Sequence, residues 1–323
     1  MLTNQQSSGK IPLLVLIGPT AVGKTGHSIS IAQKWNAEII SGDSMQVYRE
    51  MDIGTAKITK GEAAGIPHHL IDIVNPDEPF SAADFQLLAR ERIEDIYARG
   101  KLPFIVGGTG LYIESLLYNF EFSEGGADEA FREEQRAFLA EHGALALHKR
   151  LQEVDPVSAE RLHPNDDRRI IRALEILHLT GIRLSEQLAG QKRESPYELC
   201  LVGLSMDRAL LYKRIEERVD SMIKQGFPEE VEALLARGYR PDLPSMQGLG
   251  YKEIGSYVLG RTDLTTAVEL LKKNTRHYAK RQLSWFRHMK EIEWVDVTNT
   301  ENISKQTLSI DAIITAKITG FWE

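Results

Sequence analysis

One cysteine in 323 residues, Cys200, leaves no internal disulfide and no cysteine-based zinc site to consider. It sits in Tyr-Glu-Leu-Cys-Leu-Val-Gly-Leu, a strand-like apolar run, so core packing is expected of it rather than nucleophilic chemistry. No stretch approaches the roughly eighteen consecutive apolar residues that a membrane-spanning helix needs. Met1 to Gly9 is polar and lacks the basic and then apolar regions of a signal peptide. A cytoplasmic protein with a short frayed lead and no membrane partner is the expectation. Internal repeats and low-complexity tracts are also missing, which argues against a solenoid or a long disordered linker. What is there is a globular chain: 42% hydrophobic residues suffice for a sizeable core, and the length allows about two domains.

The most informative stretch is 11–26. Leu13 to Ile17 is a short apolar strand that breaks at Gly18, and Gly18-Pro19-Thr20-Ala21-Val22-Gly23-Lys24-Thr25 spells G-x-x-x-x-G-K-T before a helix-compatible segment. Strand, glycine-rich loop and helix start in this order make a phosphate cradle. Backbone N–H groups converge on phosphate oxygens, the helix N-terminus adds positive dipole, Lys24 supplies a cation and Thr25 a hydroxyl for Mg²⁺. The alternative, a purely structural glycine-rich turn, does not account for the flanking strand and helix. The pattern is that of nucleotide-binding and ATP-binding proteins, and by itself it does not say which phosphate is held.

Further along, Ala37 to Gly42 reads as a second strand that ends in Asp43-Ser44-Met45-Gln46-Val47-Tyr48. Functional groups of an open parallel sheet gather at the carboxyl ends of its strands, so Asp43 is expected near the phosphate loop, though it also suits the cap of a helix over Met45 to Tyr48. His68 and His69 lie in loop-rich sequence, and neighbours on an extended chain point to opposite faces, which disfavours shared metal ligation. Ser81 to Arg99 has helical periodicity, and Leu102 to Val106 forms a strand opening into Gly107-Gly108-Thr109-Gly110. A nucleotidase would carry an Asp at the end of this strand to hold Mg²⁺. Glycines and the Thr109 hydroxyl stand there instead, suited to close approach to a phosphate oxygen or to a plain turn. Residues 121–195 read as helices near 128–141, 143–153, 157–162 and 166–179. Tyr197 to Ser205 returns to strand, and helices follow at 210–224, 228–237, 249–259 and 264–289. Arg214 and Arg218, four apart on the first of these, share a face, although with Glu216 and Glu217 alongside they also suit surface ion pairs.

The net charge of −7 argues against a nucleic-acid partner, but the charge is uneven. Leu271 to Lys290 carries Lys272, Lys273, Arg276, Lys280, Arg281, Arg287 and Lys290 with no acid, interleaved with His277, Tyr278, Trp285, Phe286 and His288. Basic and aromatic side chains together suit phosphates and unstacked bases, where a basic run alone suits a solvated helix face. Arg168, Arg169 and Arg172 make a smaller cluster.

These motifs, in order, resemble the bacterial tRNA dimethylallyltransferases. The resemblance rests on Gly-Pro-Thr-Ala-Val-Gly-Lys-Thr (18–25), Asp-Ser-Met-Gln-Val-Tyr (43–48), Gly-Thr-Ala-Lys (54–57), His-His-Leu-Ile-Asp (68–72) and Gly-Gly-Thr-Gly-Leu-Tyr (107–112). It continues through Arg-Arg-Ile-Ile-Arg-Ala-Leu-Glu (168–175), Gly-Leu-Gly-Tyr-Lys-Glu (248–253) and the basic segment 275–287, so it spans about 12 to 290. Ile58, where the family often has Pro, and Phe80, where Tyr is frequent, are its small departures.

The resemblance implies transfer of a dimethylallyl group from dimethylallyl diphosphate to the exocyclic amine of the adenosine 3′ of a tRNA anticodon. Gly18 to Thr25 would hold the diphosphate, with Lys24, Arg218 and Mg²⁺ on Thr25 neutralising charge. Asp43 would take the amine proton and Thr109 touch the bridging oxygen. It further implies an extruded adenine, read by Asp43, Ser44, Met45, Gln46, Thr109 and the loop Gln247, Gly248, Leu249, Gly250, Tyr251 and Lys252. Arg132 and Arg168, Arg169, Ile170, Ile171 and Arg172 would clamp the anticodon stem. Lys273, Arg276, Lys280 and Arg281 would follow the backbone.

The expected architecture is α/β: a P-loop NTPase-like parallel sheet flanked by helices, divided as 1–120 and 197–323, with an all-helical tRNA-contacting insertion at 121–196. A monomer is expected. Two other readings of the residues stand beside this one. A small-molecule enzyme on the same core, an adenylate prenyltransferase or a nucleoside phosphate kinase, would not need the insertion or the basic helix. A non-catalytic RNA-binding P-loop protein or NTP-driven switch is disfavoured, since neither a strand-end Asp to hold Mg²⁺ nor an arginine-finger segment is evident.

Overall fold

The structure is a computed structural model that describes residues 9–122, 126–191, 193–299 and 303–318. The chain divides into two compact units, one of Met1–Tyr118 with Ser195–Glu323, the other of Asn119–Glu194.

The first unit is built on near-continuous apolar runs. Strands buried on both faces have no solvent side to make polar, and such runs form all-parallel sheets under helices. β1 (Ile11–Ile17), β2 (Ala37–Gly42), β3 (His68–His69), β4 (Leu102–Gly107), β5 (Tyr197–Ser205) and β6 (Glu293–Asp296) pair in parallel in the order β3-β2-β4-β1-β5-β6. Leu14 lies between Phe104 and Cys200, and Ile39 also pairs with Phe104. Cys200 is fully buried in this core, as its sequence context predicts. The strand ends are in register too: Ile17 pairs with Gly107 and Gly203, and Gly107 with Gly42. The phosphate loop, the segment from Asp43 and the Gly108–Thr109 turn therefore leave the sheet side by side at the carboxyl ends of its inner strands. β3 is an edge strand where the sequence suggested only loop. His69 Nε2 lies 2.8 Å from Glu38 Oε2 and His68 Nδ1 2.9 Å from the Ile66 carbonyl, so each ring has its own partner.

Helices pack on this sheet: α1 (Lys24–Lys34), α2 (Ala82–Ala98), capped reciprocally by Ser81 and Asp84, and α3 (Gly110–Leu117). The segment after Asp43 is not the helix that a capping Asp would start. The Asp43 carboxylate accepts from the Met45 amide at 2.9 Å, closing a local turn instead.

The second unit holds α4 (Glu129–His142), α5 (Ala144–Val154), α6 (Pro156–Arg161), α7 (Asp167–Thr180) and a short α8 (Leu184–Gly190) that the sequence pattern did not disclose. Leu147, Leu151, Ile170, Ile171 and Leu174 form its core.

After β5 come α9 (Arg208–Lys224), α10 (Phe227–Ala236), α11 (Tyr251–Val258) and α12 (Leu264–Phe286), with Asp207 and Asp263 capping α9 and α12. Past α12 the chain adds β6 at the far side of the sheet and then α13 (Ile303–Lys317). Ile310 and Ile314 enter the sheet core, and Asp311 accepts from Lys34 Nζ at 2.7 Å and from Trp35 Nε1 at 2.9 Å.

Candidate active site

The phosphate loop leaves β1 at Gly18 and turns into α1 through Gly23, whose φ of 106° is left-handed backbone that glycine adopts without strain. The N-terminus of α1 thus points its free N–H groups and positive dipole end toward the loop. Lys24 Nζ donates to the carbonyls of Gly18 and Pro19, both at 2.9 Å. Burial pushes this ammonium down to about 8; the Arg218 guanidinium adds to the shift and Asp43 opposes it.

α9 brings two cations to the same place. Arg218 Nη1 donates to Thr20 Oγ1 at 3.4 Å, and burial lowers its pKa, with Asp43 opposing and Arg214 reinforcing. The Arg214 guanidinium stands beside Gly23, where an added Cβ would be 3.7 Å from Nη2. The neighbouring acids are engaged elsewhere: Glu216 pairs with Arg276 at 2.6 Å and Glu217 with Lys213 at 3.8 Å. Arg214 and Arg218 are therefore cavity residues, not members of surface ion pairs.

From the neighbouring strand ends, Thr109 Oγ1 accepts from the Ser44 amide at 3.0 Å and lies 3.3 Å from Ser44 Oγ, which ties Thr109 to the residue after Asp43. Tyr278 of α12 lines both cavities beside Asp43; burial first, and then the Asp43 charge, holds its hydroxyl above the ordinary tyrosine range. Gln282, which the sequence reading passed over, is central. Its Oε1 accepts from the Thr20 amide and its Nε2 donates to the Gly108 carbonyl, both at 2.9 Å, joining the phosphate loop to the turn after β4. Its position one helical turn after Tyr278 on the buried stripe of α12 was the available signal.

Two cavities meet here. One, of about 310 Å³, has Asp43, Arg218, Tyr278 and Arg281 on its polar side and Ile215, Val219, Met222, Phe227, Leu249 and Leu271 on its apolar side. The other, of about 530 Å³, is lined by the phosphate loop, Lys24, Thr25, Arg214 and the segment 52–59. Thr20, Asp43, Thr55, Arg218, Met222 and Tyr278 belong to both. A cation-rich chamber suited to phosphates thus opens onto a largely apolar one, with a carboxylate at their junction.

The remaining predicted residues divide by their surroundings. Met45 lines the smaller cavity and Gln46 the larger, with the Gln46 amide engaged by Ser41 Oγ and the carbonyls of Thr55 and Ala56. Leu249 and Gly250 reach the smaller cavity. Gln247 is exposed and Gly248 abuts Met45, while Lys252 is exposed. Tyr251 is buried, its hydroxyl on Glu230 Oε1 at 2.6 Å, which leaves it no surface for reading a base. On α12, Lys273, His277, Lys280, Arg281 and Arg287 form an exposed stripe, whereas Arg276 and Lys272 are held by Glu216 and Asp220.

In the helical unit Arg168 and Arg169 are exposed. Ile170 and Ile171 are core residues there, with no surface for an RNA stem, because the α7 face they occupy is the one that packs inward. Arg132 and Arg172 both bond the fully buried Glu175, at 2.8 and 2.6 Å. Burial pushes the Glu175 carboxyl up, but the hydrogen bonds from Arg132, Arg172 and the Asp128 amide outweigh it and leave the pKa lowered.

Residues 46–289 match the family model described as IPP transferase, and 11–73 match isopentenyl transferase. The tRNA dimethylallyltransferase of Bacillus licheniformis is 52% identical over 309 residues, covering 96% of this chain and 98% of that protein. That of Bacillus cereus is 54% identical over 291 residues, covering 90% and 92%. Among solved structures, the full-length tRNA isopentenylpyrophosphate transferase of Bacillus halodurans aligns with a TM-score of 0.74 at 48% identity, covering 97% of this chain and 98% of that one. A eukaryotic dimethylallyltransferase acting on tRNA aligns with a TM-score of 0.80 at 30% identity, covering 95% and 79%. Likeness of this extent, running from the phosphate loop through the basic helix, makes the chain a member of the tRNA dimethylallyltransferase family.

Proposed function

We propose that this transferase moves a dimethylallyl group from dimethylallyl diphosphate to the exocyclic amine of the adenosine 3′-adjacent to a tRNA anticodon. The observation that carries the reading is the junction of the two cavities, where Asp43 stands between a cation-lined chamber and an apolar one. The diphosphate fits the first: Thr20, Ala21, Gly23, Lys24 and Thr25 of the phosphate loop line it with Arg218, and Arg214 adds a cation to which the sequence reading gave no role. The five-carbon group fits the second, against Val219, Met222 and Leu271.

During transfer the allylic C–O bond breaks, the adenine nitrogen forms the new C–N bond, and the diphosphate leaves with its electron pair. The amine proton passes to the Asp43 carboxylate, a geometric role because the amine becomes acidic only as it alkylates. Lys24 and Arg218 stabilise the charge gathering on the leaving group, and a buried setting makes each such contact stronger than in water. Thr109, which lines neither cavity but is tied to Ser44 beside Asp43, would touch the bridging oxygen. Mg²⁺ fits the donor chemistry, since the Thr25 hydroxyl at the start of α1 with diphosphate oxygens and water is a common set for this ion. When bound it would neutralise diphosphate charge. The exposed stripe of α12 and the exposed Arg168 and Arg169 are positively charged surfaces for the RNA backbone. Bases of a single-stranded loop can be splayed into a pocket at a cost of a few kcal/mol, which stacking and hydrogen bonds offset.

The test is incubation with Mg²⁺, radiolabelled dimethylallyl diphosphate and either unmodified tRNA or AMP. Label in tRNA alone supports the reading. Label in AMP alone keeps the chemistry and removes the RNA acceptor, and label in neither overturns it.

A further inference from the structure

The segment Asp52 to Lys57 walls both cavities without belonging to any helix or strand. Its position is set by tethers. Lys57 Nζ bonds the Tyr48 carbonyl and pairs with Asp52 and Asp72, while Gln46 Nε2 reaches the carbonyls of Thr55 and Ala56. All of these come from the same stretch of chain. Glu230 does not: it lies on α10, and its Oε2 accepts from the amides of Asp52 at 3.1 Å and Ile53 at 2.7 Å, its Oε1 from Gly54 at 3.2 Å. The Tyr251 hydroxyl completes the shell on Oε1. Among the described residues no lysine, arginine or histidine pairs with this carboxylate, so three successive backbone N–H groups and a phenol carry its charge, as in the amide nests that hold anions elsewhere.

The other side of the segment is equally close. A Cβ at Gly54 would stand 2.3 Å from the Phe227 ring and 2.7 Å from Tyr251, so the backbone is pressed against two aromatic rings while Glu230 draws it in. Gly54, Thr55, Met222 and Phe227 all line the 310 Å³ cavity. The distance between the 54–55 wall and the α9–α10 wall is therefore set by one carboxylate drawing the segment in against two rings.

We propose that Glu230 is a positioning residue for the transfer reaction, holding the 52–57 segment at the separation from α10 that fits the five-carbon group beside the adenine ring. The inference rests on the prenyl-transfer reading of the cavity. Glu230→Gln keeps the shape but replaces an acceptor oxygen by an NH₂ group, which cannot accept the amides facing it.

The test compares wild-type protein, Glu230→Gln and Tyr251→Phe by hydrogen exchange and by single-turnover rate with saturating tRNA and dimethylallyl diphosphate. For Glu230→Gln, exchange at 52–54 should rise at least tenfold and the rate fall at least tenfold, with β1 and β4 still protected as in wild type. Tyr251→Phe, losing one of four donors, should show both effects at about threefold. Should Glu230→Gln lose protection throughout, Tyr251→Phe decides alone: coupled changes support the proposal, and unchanged exchange at 52–54 overturns it. Faster exchange with a wild-type rate also overturns it. Absence of wild-type transfer to tRNA would sink the prenyl-transfer reading instead, and the exchange data would still decide whether Glu230 holds the segment.

Discussion

Arginines four apart recur on two helices of this chain in different surroundings. On α7, Arg168 and Arg172 are four apart, as are Arg214 and Arg218 on α9; Arg168 is exposed, so the contrast turns on Arg172. Arg172, with Arg132, closes on the buried Glu175, whereas among the described residues neither Arg214 nor Arg218 has a carboxylate within 4 Å. A buried carboxylate needs its cations to stay folded; a buried cation without a carboxylate is held at a cost that an incoming anion can relieve. The first arrangement serves the stability of the helical unit, and the second is a place for a ligand. Sequence spacing cannot separate them, because the deciding partner is Glu175 in one case and a cavity in the other.

The sharpest way to break this contrast is Arg218→Ala. On the proposed role it lowers kcat/KM for dimethylallyl diphosphate by roughly a hundredfold, the scale of one lost charge-stabilising donor, and leaves thermal stability near wild type. Steady-state kinetics beside a melting curve checks it; a stability loss with donor use intact would put Arg218 in the same class as Arg172. The complementary change is Arg132→Ala with Arg172→Ala. It leaves Glu175 buried without its partners and should cost on the order of 3 kcal/mol in the unfolding of the helical unit, allowing for the partial exposure of both arginines. The pH dependence gives the sign: Glu175 is lowered in the folded state, so its contribution is present above the unfolded carboxyl value and fades as pH falls through the folded one. Wild type should lose that increment on acidification, and the double variant should have little of it to lose. Denaturant unfolding at neutral and acid pH measures both.

What the sequence discloses and what it withholds follow one physical rule. The phosphate loop was legible because strand, turn and helix start are adjacent residues obeying local rules, and the inner strands of the sheet because they are buried on both faces and read as largely apolar runs, unlike the edge strands β3 and β6. Gln282 and Glu230 were not legible. Each acts on backbone groups remote in sequence, Thr20 and Gly108 for one and 52–54 for the other; the buried stripe of α12 is the one hint for Gln282, and nothing near Glu230 marks it. α13 escaped notice because its apolar residues carry no motif and acquire meaning only against the sheet core. The turn at Asp43 shows local rules in competition: the same carboxylate that suits a helix cap also suits a turn two residues long, and here the turn won.

The smallest effect extends the contrast to α12, where paired and exposed cations alternate along one helix. Arg276 is held by Glu216 at 2.6 Å, so it enters RNA binding only by giving up that partner, whereas Lys273, Lys280 and Arg287 are exposed. Each phosphate neutralised releases condensed counterions, worth a little under one unit in the slope of log affinity against log salt. Neutralising Lys273, Lys280 and Arg287 together should therefore flatten the slope for tRNA by roughly 2 to 3 units, while Arg276→Ala should change it little. Filter binding across a salt series measures both slopes. Equal slopes for the triple variant and wild type would make the stripe a solvated face, and a large change from Arg276→Ala would mean that RNA displaces Glu216, so that a short ion pair in the free protein does not by itself mark a residue as structural.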